Sequence, residues 1–165
     1  MLRYTPILPL MKRYFIPIFL ALLPFSLQAA QLYLTPSSGQ LKIGREFTVE
    51  IKVKSEEPVN AFGITLFYSP ETLEFVKSGE KNSLINLWIQ KPKAEKSEGE
   101  ITLLGGKIGG FEGDGVLTKL VFKVKAPGKV FLKFSENSLV LKHDGYGTPA
   151  IISNLGRLDI ITGRY

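Results

Sequence analysis

The sequence predicts an all-β domain built as a two-sheet antiparallel sandwich, and three observations carry that prediction. Apolar residues recur at every second position in several separate segments. Clusters of Gly, Pro, Asn, Asp and Ser punctuate those segments at short intervals. After residue 30, no stretch of useful length shows the 3.6-residue apolar period of an amphipathic helix. A chain of 165 residues suits one domain and is too short for two independent cores of useful depth.

Leu32 to Leu34 opens the series. In Glu46 to Lys54, Phe47, Val49, Ile51 and Val53 share one face, and Glu46, Thr48, Glu50, Lys52 and Lys54 share the other. Such alternation marks a strand with one buried and one wet side. Ala61 to Tyr68 repeats it, with Phe62, Ile64, Leu66 and Tyr68 together. Ser69-Pro70-Glu71-Thr72 is a turn, because proline cannot continue a central strand. Leu73 to Lys77 resumes extended structure. Asn82 to Gln90 fits a short helix or a strand, and Lys91 to Gly99 reads as a charged connector. Glu100 to Leu104 is a strand, followed by a loop with glycines at 105, 106, 109, 110, 113 and 115. Val116 to Lys125 alternates again, Leu120, Phe122 and Val124 facing inward. Ala126-Pro127-Gly128-Lys129 is a tight connection. Val130 to Phe134, Ser138 to Lys142 and Leu155 to Ile161 complete eight or nine strands. That number, at this spacing, is a sandwich with one face of each strand in the core.

Composition removes most enzyme classes. The chain has no cysteine and a single histidine. Disulfides, thiolate metal sites and thiol nucleophiles are therefore excluded, and little material remains for acid–base work. The formal charge is +6. Arg3, Lys12 and Arg13 lie in residues 1–30 with no acid, so the remainder carries 18 − 15 = +3. That mild, interspersed basicity does not resemble the clustered stripe of a nucleic-acid binder.

Residues 1–30 have the three parts of a secretory signal peptide: Lys12-Arg13, the apolar run Tyr14 to Phe25, and small residues at Ala29 and Ala30. Met11 serves as an alternative start, since the pattern is complete from there. Cleavage is expected near Ala29 or Ala30, leaving residues 31–165 as a secreted domain, extracellular, at the cell surface or periplasmic. No later stretch reaches the eighteen apolar residues of a membrane helix.

Four segments together resemble the cohesin domain, the module that holds dockerin-bearing proteins in cellulosomes. Leu41 to Val49 is similar to the family's opening strand, entered through a lysine–glycine turn. Ile64 to Leu73 resembles its strand ending in Tyr-Asp-Pro, with Ser69 here in place of the aspartate. Gly115 to Lys125 resembles its late alternating strand, and Asn154 to Ile160 its closing strand. The match spans residues 32–161. The resemblance implies a nine-stranded jelly roll related to carbohydrate-binding modules, without catalysis or cofactor, and a dockerin-like protein partner.

Four residues are candidates for binding. Strict alternation turns Phe67 and Thr65 outward, and the resemblance puts their strand on the sheet with which cohesins grip dockerin. Phe67 is then a partner anchor, unless a loop covers it. Trp88, among Leu84, Leu87 and Ile89, reads either as a plug over one end of the sandwich or as a stacking or anchoring aromatic. Tyr146 stands at the tip of the His143–Gly147 turn, on the rim. His143-Asp144 is the only adjacent pair resembling an acid–base unit, and neighbours at such a junction point apart. Lys107 in the glycine-rich segment lacks the phosphate-loop spacing. Glu112 and Asp114 are a thin ligand set for calcium, so no metal is expected.

Three functions follow. The first is a secreted, non-catalytic module that attaches another protein. The alternative is a carbohydrate-binding module on polysaccharide, and the third is a structural subunit of a surface assembly.

Overall fold

The computed structural model describes residues 29–37 and 41–162. The expected leader, with both starts, lies outside the described residues up to position 28. Nine strands follow: β1 (Ala30–Pro36), β2 (Glu46–Tyr68), β3 (Leu73–Gly79), β4 (Leu87–Glu95), β5 (Glu100–Val124), β6 (Gly128–Phe134), β7 (Leu139–Lys142), β8 (Ile152–Leu155) and β9 (Arg157–Thr162). The described residues contain no helix.

The strand count agrees with the sequence, but its division differs in four places. Residues 46–54 and 61–68 belong to one strand, β2, which bends at register shifts between Ser55 and Ala61. The glycine-rich segment expected as a loop is the middle of β5. Gly109, Gly110 and Gly113 take φ of +85°, +75° and +102° there, values that side-chain-bearing residues avoid. They let β5 bend with β2 while the two stay antiparallel from Glu46↔Lys123 to Phe67↔Glu100. The third difference is β4, which runs through the supposed connector. Lys93, Ala94 and Glu95 pair with Thr102, Ile101 and Glu100. β4 lies at a sheet edge, where Pro92 and charged side chains are tolerated.

Because β2 and β5 bend together, each serves both layers of the sandwich. Sheet one runs β8–β1–β2(46–54)–β5(116–124)–β3. Sheet two runs β4–β5(100–106)–β2(61–68), then β7 and β6 side by side along β2, with β9 outside β6. All pairings are antiparallel except β1 with β8. Strands β2 to β7 lie between these two in sequence, so the crossover that parallel neighbours need is amply supplied. The expected single closing strand is split at Gly156: β8 joins sheet one and β9 joins sheet two.

The alternation read from sequence is the burial seen. Phe47, Val49, Ile51 and Val53 from sheet one meet Phe62, Ile64, Leu66 and Tyr68 from sheet two, all buried. Phe122 is the hub, with ring centroids 5.9 Å from Phe47, 5.3 Å from Tyr68 and 5.8 Å from Phe75.

Candidate protein-binding face

The buried register of β2 turns Ala61, Gly63, Thr65 and Phe67 outward on sheet two, each half-buried. Cross-strand pairing arranges their neighbours in rows. The first row is Leu87–Gly106–Ala61–Leu141, read from β4 to β7. The next is Gln90–Leu104–Gly63–Leu139. Then comes Lys93–Thr102–Thr65, and last Glu95–Glu100–Phe67–Lys133–Arg157, which ends on β9. The first two rows are an apolar band: Leu87, Leu104 and Leu139 are 51%, 41% and 50% exposed. Gly63 and Ala61 form its low floor, and the Leu104 and Leu139 side chains rise on either side of Gly63.

The last two rows are polar, and their charges are placed unusually. Glu95 lies directly opposite Glu100, and Lys133 directly opposite Arg157. Like charges in opposed positions of an antiparallel pair cost stability. Arg157 is relieved by Asp159 on its own strand. Among the described residues, Glu95, Glu98, Glu100 and Lys133 are in no ion pair. Phe67 stands between Glu100 on one side and Lys133 on the other.

The outer face of sheet one is organised in the opposite way. Glu50 opposes Lys119 and their side chains meet at 2.6 Å. Asp114 takes the Lys52 ammonium at 3.1 Å and accepts the Tyr33 hydroxyl. The Tyr33 hydroxyl bond, and then Lys52, hold the Asp114 carboxyl below its ordinary range. Asp114 is thus engaged with protein groups on this face.

Each candidate residue has a definite place. Thr65 and Phe67 lie side by side on the outer face of sheet two, as alternation required. The Thr65 backbone is fixed by the Ser138 hydroxyl, which donates to its carbonyl, and by the Ser135 amide. Trp88 is on β4 of the same sheet but turns inward opposite Gly105, half-buried against the core. Tyr146 is 91% exposed, apart from the rows around Phe67. Its turn is shaped by Asp144, whose carboxylate accepts the Tyr146 and Gly147 amides. The Thr148 hydroxyl and these amides keep the Asp144 carboxyl below its usual range. His143 points elsewhere: its Nδ1 accepts from Asn60 Nδ2 at 3.0 Å. The pair is therefore spent on holding the turn.

Ser69 occupies the turn position where the resemblance expects an aspartate. It is buried, its hydroxyl oxygen accepts the Phe131 amide at 3.1 Å, and it meets the Thr72 hydroxyl at 2.9 Å. One hydroxyl suffices to tie the turn to β6. The sequence reading did not single out Leu104, Leu139, Glu100 or Lys133. The first three alternate visibly with buried Leu103, Val140 and Ile101, and Lys133 sits between Leu132 and Phe134. Their convergence depends on pairing between distant strands.

A model of the cohesin domain family matches residues 31–147. No curated protein matches the sequence. Among solved structures, the chain is similar to the sixth cohesin of scaffoldin B from Acetivibrio cellulolyticus, solved in complex with a Cel5 dockerin. Identity is 18% and the TM-score 0.64, over 82% of this chain and 99% of that one. It is also similar to a type II cohesin domain from the cellulosome of the same organism, with 13% identity, TM-score 0.66, and coverage of 80% and 95%. A non-cellulosomal cohesin from the hyperthermophilic archaeon Archaeoglobus fulgidus has 18% identity and TM-score 0.63, covering 81% and 92%. Two layers crossed by shared bent strands, with the family's match over most of the described residues, lead to one conclusion: this chain belongs to the cohesin domain family.

Proposed function

We propose that the outer face of sheet two docks a dockerin-type protein, with Phe67 as the aromatic anchor and Thr65 beside it. One observation carries the reading. This face keeps an apolar band beside Glu95, Glu100 and Lys133, which are in no ion pair among the described residues. On the opposite face Glu50 is paired with Lys119 and Asp114 with Lys52. Uncompensated charge beside exposed apolar surface is what a partner can satisfy. Similar cohesins solved with dockerins support the choice of partner. The module attaches and does not transform, because binding needs only a preformed face.

The chain is proposed to be exported by its leader and to act outside the cell. Among the described residues, no helix is long and apolar enough to cross a membrane. Ala30 is fully buried and starts β1, so processing before Ala30 leaves that strand whole. A carbohydrate platform draws less support, because the indole of Trp88 packs against the core. Tyr146 is assigned to the rim and contributes little.

The test is capture from the secreted fraction by the wild type and by Phe67→Ser. A dockerin-bearing protein retained by the wild type and lost by the variant is the expected result. Phe67 is half-buried on the outer side, so its loss should cost less than about 1 kcal/mol of stability. Equal retention by both proteins, or retention of polysaccharide alone, overturns the proposal.

A further inference from the structure

We infer that the same face binds a second copy of this chain, about a two-fold axis lying in the interface parallel to β2. Such an axis keeps height along the strands and exchanges the two sides of the sheet. Every residue on one side of β2 therefore faces the residue at the same height on the other side. In the last row, Glu100 and Lys133 flank Phe67 at equal height. Glu100 of each copy then faces Lys133 of the other, twice over, while the two Phe67 side chains meet on the axis. In the apolar band, Leu104 and Leu139 flank Gly63 at equal height. Each Leu104 then faces a Leu139, and the two Gly63 positions meet without side chains between them. One row further, Gly106 and Leu141 flank Ala61, so a half-buried leucine meets a position that has no side chain.

The complementarity is thus both electrostatic and steric, and it arises within one sequence. Across this axis Glu100 comes to face Lys133, neither of them in an ion pair among the described residues. Glu95 comes to face Arg157, which also holds Asp159 on its own strand. Five strands about 4.8 Å apart and eight residues of about 3.3 Å give a face of about 20 by 23 Å. That is smaller than the ~800 Å² per partner of a standard interface, so the dimer should be weak and concentration-dependent. A copy seated here covers Phe67, so self-association and partner binding exclude each other. The inference uses the geometry of the face and does not depend on what the partner is.

Sedimentation velocity of the exported protein between about 10 μM and about 1 mM tests it. The wild type should dimerise with rising concentration and weaken as salt is added. Glu100→Lys alone, or Lys133→Glu alone, places like charges in two symmetric contacts and should weaken dimerisation by about tenfold. An equimolar mixture of the two variants restores opposite charges in both contacts and should recover the lost affinity. A wild type that stays monomeric throughout overturns the inference, as does a mixture no better than its components. If that monomer still captures a dockerin-bearing protein through Phe67, only the self-association fails and the partner reading stands.

Discussion

The two outer faces of this sandwich share one core and one alternation, yet they treat charge in opposite ways. On sheet one the register places Glu46 and Glu74 opposite Lys123, Glu50 opposite Lys119, and Lys54 opposite Asp114. Each such pair contributes a modest gain to the sheet itself. On sheet two, Glu95 meets Glu100 and Lys133 meets Arg157. The Glu95–Glu100 pair costs the isolated domain a comparable amount, while Asp159 offsets part of the cost at Arg157. A surface that gives up stability where its twin gains it serves something outside the fold, and the exposed leucines beside it are consistent with that role. Burial alone does not separate the two faces; the sign of each cross-strand pair does.

The largest predicted effect comes from what the faces share. Phe122 is fully buried and touches aromatic rings from both sheets. Phe122→Ala should cost about 3–5 kcal/mol, because the cavity lies where neighbours on two layers cannot all relax. Denaturant titration reads the loss, and both faces should fail together. If sheet two alone loosened, the shared-core premise of the comparison would be wrong.

A reciprocal pair of substitutions addresses the comparison itself. Glu50→Lys on sheet one turns an opposite pair with Lys119 into a like pair and should destabilise by about 0.2–1 kcal/mol. Glu100→Lys on sheet two turns a like pair with Glu95 into an opposite one and should stabilise by a similar amount. The same glutamate-to-lysine change is thus expected to shift Tm downward on one face and upward on the other. Shifts of the same sign would show that net charge, and not the local register, governs both faces.

How much of this was legible beforehand depends on the distance over which each feature is determined. Period-two alternation needs only neighbouring residues, so the buried faces at 47–53, 62–68 and 120–124 and the outward turn of Phe67 could be read directly. Continuity of β2 and β5 could not. Pro58 and the glycines of β5 look like punctuation locally, while pairing such as Val59↔Phe111 carries the strands through. Trp88 was ambiguous for a related reason: β4 shifts register between Trp88 and Gln90, so counting by twos fails there. Rows such as Leu104–Gly63–Leu139 join residues far apart in sequence. Only the register of assembled sheets brings them together, and the like-charged pairs appear at the same moment.

The smallest effect is a pH dependence confined to sheet one. The Tyr33 hydroxyl, then the Lys52 ammonium, keep the folded Asp114 carboxyl below its ordinary range. A carboxyl lowered in the folded state adds stability that is fully present above its unfolded pKa. That stability is lost as pH falls through the folded value. The relevant window therefore lies at and below about pH 4. Both charged groups of the bridge keep contact with water, so the contribution is small and salt weakens it. Asp114→Asn should lower Tm slightly at neutral pH, and the gap to the wild type should close as the solution is acidified toward about pH 2–3. A gap that stays constant over that range would mean that the side chain matters through packing and hydrogen bonding rather than charge. The contrast between the faces would then rest on the Glu50–Lys119 pair and its neighbours, without the Asp114 network.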